Sequence, residues 1–250
     1  MTGSASGIGQ AIALGLAREG ANIAVIDINL DGARKVANEV KALGRKSIAI
    51  QTDVTKFAQV KLMAKKVRNE LGDVDILVNV AGGTAPGVKR NFLCNKSEED
   101  WDAMIALNLK SVFNCCRAVI ERMIERRTGK IVNIASVAGV VGNAASIDYS
   151  AAKGGVIAFT KALAKEVAGY GINVNSVSPG PIATPLLMKR ASDKIRKEYV
   201  VLTGMGRLGT PEDISHMVAF LVSEAASFIT GHDHIVAGLR DIGGAWGVVR

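Results

Sequence analysis

Residues 1–9 read MTGSASGIG, and IGQAIALGLAREG runs on from Ile8 to Gly20. Three glycines, Gly3, Gly7 and Gly9, stand ahead of every other element. Glycine costs backbone entropy, so such a cluster belongs in a tight turn or where something approaches the backbone closely. Apolar residues at Ile8, Ile12, Leu14 and Leu16, with Ala11, Ala13 and Ala17 between them, predict a buried helix that closes at Gly20. The glycines then sit at a helix N-terminus, where unpaired N–H groups and the helix dipole attract an anion. A phosphate cradle is one reading. An ordinary glycine-rich turn is the other, because the spacing is not G-x-G-x-x-G.

The 250 residues are 48% hydrophobic, enough for one full α/β core over residues 1–250. No continuous apolar run reaches the length of a membrane span, and the glycine loop occupies the place of a signal peptide. Cys94, Cys115 and Cys116 have no metal-type spacing, and their odd number fits reduced thiols in the cytoplasm. The HDH at 232–234 could bind a metal, but a strand or turn explains it equally well, and no metal is expected. The formal net charge of +8 permits anionic partners. Lys and Arg are nevertheless spread over many helices and only 4% of residues are aromatic, so the charge reads as solvated helix faces and not as a nucleic-acid surface.

Strand and helix patterns alternate along the chain. Strands are expected at 22–27, 47–51, 75–80, 130–136, 172–180 and 234–237, with helices at 31–44, 55–72, 98–127, 149–169 and from Pro211. The strands are short and apolar throughout, the mark of a parallel sheet covered on both faces. Right-handed crossovers make this one doubly wound, Rossmann-type sheet. Its ligands bind beyond the carboxyl ends of the strands.

Those strand ends carry polar residues. Asp27 ends the first strand at about the spacing from the glycine loop at which a carboxylate accepts hydrogen bonds from an adenosine ribose. Asp53 follows the second strand, where it could also cap a helix. Asn79, Ala81 and Gly82 close the third. Ser136 ends the fourth, and Tyr149 and Lys153 follow on a helix, four residues apart and therefore on one face. The small residues of SAAKGG leave room beside them for a ligand.

TGSASGIG, NVAG (79–82), Asn108, Ser136, YSAAK (149–153) and SPGPIAT (178–184) occur in the order and spacing of the short-chain dehydrogenase/reductase family. The chain resembles the compact members of that family from Thr2 to about Gly238. The resemblance implies that Tyr149 is the acid/base, that Lys153 lowers its pKa and holds the nicotinamide ribose, that Ser136 bonds the substrate oxygen, and that Asn108 holds a relay water. It also implies a dinucleotide held by Gly3, Ser6, Gly7, Ile8, Gly9, Asp27, Asp53, Val54, Asn79, Ala81, Gly82, Pro179, Gly180, Ile182 and Thr184, together with Tyr149 and Lys153.

Three departures stand out. Val80 replaces a common Asn, Ala237 stands where Asp is frequent, and the family's first strand, which precedes the glycine loop, is absent. A sheet without its central strand leaves backbone groups unpaired, so a short apolar stretch is expected upstream of Met1, or else the terminal GVVR fills the gap.

The leading function is hydride transfer between NAD(H) and a secondary alcohol or ketone. Asp27 would repel the 2′-phosphate of NADP(H), and Ser6 stands where NADP-using relatives often carry Arg or Lys. The alternatives are an NADP-dependent 3-oxoacyl-thioester reductase and a non-catalytic NAD-binding regulator, which would need none of Asn108, Ser136, Tyr149 and Lys153. Residues 185–207 are expected to form a substrate lid, whose Lys189, Arg190, Lys194, Arg196 and Lys197 hint at an anionic or CoA-linked substrate. The resemblance implies a homotetramer.

Overall fold

The computed structural model describes residues 1–241. Its strands are β1 (Ile23–Asp27), β2 (Ser47–Gln51), β3 (Ile76–Asn79), β4 (Gly129–Ile134), β5 (Ile172–Pro179) and β6 (Asp233–Val236). β1 pairs with β2, and β3 to β6 pair in the order of the chain, every pairing parallel. Ile23 lies opposite Ser47, Ile131 opposite Val174, and Val177 opposite His234.

Helices cover both faces. On one side α3 (Phe57–Leu71), α4 (Glu98–Arg126) and α6 (Ile147–Val167) bury Val60, Val112, Met123 and Val156. On the other, α1 (Gly7–Arg18), α2 (Leu30–Ala42) and α9 (Pro211–Val222) bury Ile12, Val36, Val40 and Ile214. Each such side chain contributes about 1.5–3 kcal/mol by leaving water. The layering is the doubly wound arrangement that the apolar strands imply. Between these helices lie α5 (Val137–Val141), α7 (Pro185–Arg190) and α8 (Asp193–Val201).

Local chemistry sets the helix ends. The Ser97 hydroxyl accepts from Asp100 N at 3.1 Å and opens α4, as the sequence implies. Thr210 and Asp213 form a reciprocal capping box at α9, with Pro211 in the first turn. α4 is long and apolar enough to cross a membrane. Here its buried face, including Asn108, Asn114, Cys115 and Cys116, packs into the core.

Among the described residues, the bridges between β1 and β3 are made by Thr2, which pairs in parallel with Ile26 and with Asn79. Thr2 N donates to Val78 O at 3.1 Å, Ile26 N to Met1 O at 2.9 Å, and the Met1 ammonium to Ala24 O at 2.9 Å. Burial lowers that amine to about 6. Beyond this stub lies a cavity of about 450 Å³ walled by residues such as Ile23, Leu77, Met63 and Val119. Two residues thus tie the halves together at the carboxyl ends of the strands, where the glycine turn begins. The terminal GVVR proposed as a filler lies outside the described residues.

Candidate active site

The carboxyl end of β4 builds the centre. Ser136 caps α5, its hydroxyl accepting from Ala138 N at 3.1 Å. α6 brings Tyr149 and Lys153 to the same place, one turn apart, with the Lys153 ammonium 5.9 Å from the phenol ring centroid. Lys153 is 3% exposed and donates to Ile134 O at 2.6 Å. A short run of π-helix, Ala106–Lys110, interrupts α4 and carries the fully buried Asn108. Asn108 grips Gly83, accepting from its N–H at 2.7 Å and donating to its carbonyl at 2.9 Å, and it also donates to Met104 O. π turns of this kind often mark functional positions. A methyl group on Gly82 would sit 2.8 Å from Asn108 Oδ1 and 3.2 Å from Lys153 Nζ, so only glycine fits there without displacing either.

Burial decides the electrostatics. It raises the Tyr149 phenol above its ordinary value, while the Ser136 hydroxyl and the Arg90 charge pull it partly back. It lowers the Lys153 ammonium from 10.5 to about 8. Across the neutral range the phenol therefore keeps its proton and can donate it. A reaction that draws on both the protonated phenol and the Lys153 charge is expected to lose kcat/KM above pH about 8, as that charge is lost. A profile flat to pH 10 would show that this charge plays no part.

These residues face one cavity of about 560 Å³, whose wall also includes Ile8, Gly82, Pro179, Gly180, Ile182 and Thr184. The cavity joins the glycine turn, the β4 end and the turn after β5. In that last turn Gly180 N donates to Val236 O at 3.0 Å, and a methyl on Gly180 would strike Ala237 Cα at 2.8 Å. Thr184 caps α7 through Leu187 N.

The 185–207 stretch is expected to form a substrate lid. It folds into α7 and α8, which present Leu186, Leu187, Ile195 and Tyr199 to the cavity. Lys189, Lys194, Arg196 and Lys197 do not line it. Arg196 pairs with Asp193, and Lys194 and Lys197 line a separate surface hollow. The side chain of Arg190 lies outside the described ones. Lys189, Lys194, Arg196 and Lys197 therefore give no support for an anionic substrate.

One pair is absent from the sequence reading. Lys96 reaches Asp148 at 2.9 Å with both side chains almost wholly buried, at 3% and 2% exposure. Lys96 also donates to Lys89 O, and Asp148 accepts from Tyr149 N at 2.8 Å. The pair pins the 83–97 loop to the helix turn that carries Tyr149. Lys96→Met would strand a buried carboxylate and is expected to cost about 3–5 kcal/mol of stability. A melting temperature unchanged from that of the parent would contradict this.

The family described as enoyl-(acyl carrier protein) reductase matches residues 3–238. The chain is 42% identical over 241 residues to the 3-oxoacyl-(acyl-carrier-protein) reductase FabG of Staphylococcus epidermidis, covering 96% of this chain and 97% of that protein. It is 41% identical over 231 residues to the protein of the same name from Thermotoga maritima, covering 92% of each. Nodulation protein G of Azospirillum brasilense is 42% identical over 232 residues, again covering 92% of each. This chain belongs to the short-chain dehydrogenase/reductase family.

Members of the short-chain dehydrogenase/reductase family work with a nicotinamide dinucleotide, and the glycine turn fits one. Ser6 caps α1 with no side-chain bond, so the first-turn N–H groups of Gly7, Ile8 and Gly9 have no protein acceptor among the described hydrogen bonds. Gly9 is dictated by the turn itself, since a methyl there would lie 2.0 Å from Gly3 O. Asp27 stands beside the turn, accepting from Ala5 N at 3.0 Å and from Asn29 N at 2.9 Å.

The remaining expected contacts are more engaged within the protein. Asp53 accepts from the N–H and hydroxyl of Thr55. The Val54 side chain is in the core and its carbonyl accepts from Asn114. Asn79 is 2% exposed and donates to Asn133 Oδ1 at 2.8 Å. The Ala81 N–H donates to the Thr2 hydroxyl.

Proposed function

We propose that this enzyme interconverts a ketone and a secondary alcohol using NAD(H), with Tyr149 as the acid/base and a 3-oxoacyl thioester as the favoured substrate class. The observation that carries the reading is one cavity holding Ser136, Tyr149 and Lys153 together with Ile8 of the unpaired helix turn. The thioester comes from the names of the relatives, and the apolar lid residues Leu186, Leu187 and Ile195 suit an acyl chain. The bound nicotinamide supplies or accepts the hydride at the carbonyl carbon.

The chain's own residues do the rest. Ser136 donates its hydroxyl proton in a hydrogen bond to the substrate oxygen and orients it. Tyr149 gives its phenolic proton to that oxygen as the carbon is reduced, and takes a proton back in alcohol oxidation. Lys153, beside the phenol, stabilises the tyrosinate left behind. One ammonium at about 5 Å, at an effective dielectric of 20, offers roughly 3 kcal/mol for this. Asn108 fixes Gly83 and the π turn next to Lys153, and its part in holding a relay water rests on the family resemblance.

NAD(H) is favoured by Asp27, whose carboxylate, bonded to Ala5 N of the glycine turn, would repel a 2′-phosphate there. We assign the enzyme to the cytoplasm and to a homotetramer, with Trp101 and Phe113 of α4 exposed for association. Following NADH absorbance with 3-oxoacyl thioesters and simple ketones tests the reading. Oxidation of NADH with the thioesters is expected, and no oxidation with any of these carbonyl compounds would overturn it.

A further inference from the structure

The same cavity holds charge that the hydride chemistry does not use. Lys89 and Arg90 of the 83–97 loop line it, and so does Arg240, which lies beyond the family-matched residues 3–238. Among the described residues none of these three takes part in an ion pair. Among the described lining residues Asp148 is the only carboxylate, and it is paired with Lys96. Arg90 is close enough to the phenol for its charge to bear on it.

Arg240 is held in place by its backbone. Its N–H donates to Ala237 O at 3.2 Å, and Gly204 N of the lid's last turn donates to Gly238 O at 2.7 Å. The segment that follows β6 is therefore tied to the end of the lid and presents a half-buried guanidinium at the cavity wall. Guanidinium groups bind carboxylates and phosphates through paired, directed hydrogen bonds. Lys89 and Arg90 are exposed at the rim of the cavity, where an anion entering it would meet them.

We propose that the substrate carries an anionic group, a carboxylate or phosphate, that Arg90 and Arg240 hold while its carbonyl lies against Ser136 and Tyr149. This rests on the reductase reading above and adds to it the substrate's charge. The apolar lid takes the hydrocarbon, and the loop and the post-β6 segment take the anion.

The test compares kcat/KM, with NADH saturating, for three 3-oxoacyl thioesters of equal acyl length. One is a neutral N-acetylcysteamine thioester. The second carries a terminal carboxylate on its acyl chain. The third is the coenzyme A thioester, which supplies phosphate instead. One of the anionic arms is expected to exceed the neutral one by roughly 10- to 100-fold, the range of hydrogen bonds to charged groups, and which arm it is identifies the anion. In Arg240→Met, and in Arg90→Met/Arg240→Met, that ratio is expected to fall below about threefold, with the NADH KM unmoved. Rising salt should raise KM for the preferred arm and leave the neutral arm alone, a readout that needs no variant. Equal kcat/KM on all three arms would overturn the anion site and leave the reductase intact. A raised NADH KM with the preference retained would overturn it by assigning the cations to the cofactor. No turnover on any arm would overturn the reductase reading itself.

Discussion

Tyr149→Phe is expected to lose 10²–10⁴ in kcat, about 3–5.5 kcal/mol of transition-state stabilisation, while NADH still binds. The substitution removes only the hydroxyl that passes the proton. The ring stays in place beside Lys153, and the glycine turn is untouched. Cofactor affinity measured by fluorescence titration should therefore hold within a few-fold. Near-full turnover in this variant would mean that another group moves the proton. In this protein burial raises the phenol, so its resting form is the acid, ready for the reductive direction. Alcohol oxidation asks the same residue to ionise, and its rate should climb with pH where the reductive rate does not.

Asp27 is expected to impose roughly 100-fold discrimination in kcat/KM for NADH over NADPH. Its carboxylate is fixed by two backbone donors, Ala5 N within the glycine turn and Asn29 N just after β1, so it cannot swing away cheaply from an incoming phosphate. A like-charge clash of a few kcal/mol at an effective dielectric near 20 gives a ratio of that order. Asp27→Ala should narrow the gap mainly by improving NADPH. Comparable kcat/KM for both cofactors in the parent would overturn the assignment.

Much of this was legible in the sequence because it depends on short-range pattern. The apolar strands place the sheet within a residue or two, and the carboxyl ends of β1 and β4 fall at Asp27 and just before Ser136. Four-residue spacing on one helix put Tyr149 and Lys153 together. Other features depend on chain segments that the sequence keeps apart. The Lys96–Asp148 pair joins a loop to a distant helix, and only Asp148's place next to Tyr149 hinted at it. Arg240 reaches the cavity because the segment after β6 folds back onto the lid's last turn. α5 reads from sequence as loop because its Val-rich five residues carry little helical preference. The charges on α7 and α8 mislead, since the side of these helices that faces the cavity is the apolar one. Thr2 bridges the two sheet halves beside Met1, a tertiary fact with no local signature.

The central claim is hydride transfer to a carbonyl carbon with a proton from Tyr149. Reducing a 3-oxoacyl thioester with NADH deuterated at C4 on the transferable face, and analysing the product by mass spectrometry and NMR, tests it most directly. The expected product carries one deuterium on the new carbinol carbon and none on its oxygen after exchange with water. A reduced product without deuterium at that carbon, or no consumption of the labelled NADH, would contradict the account.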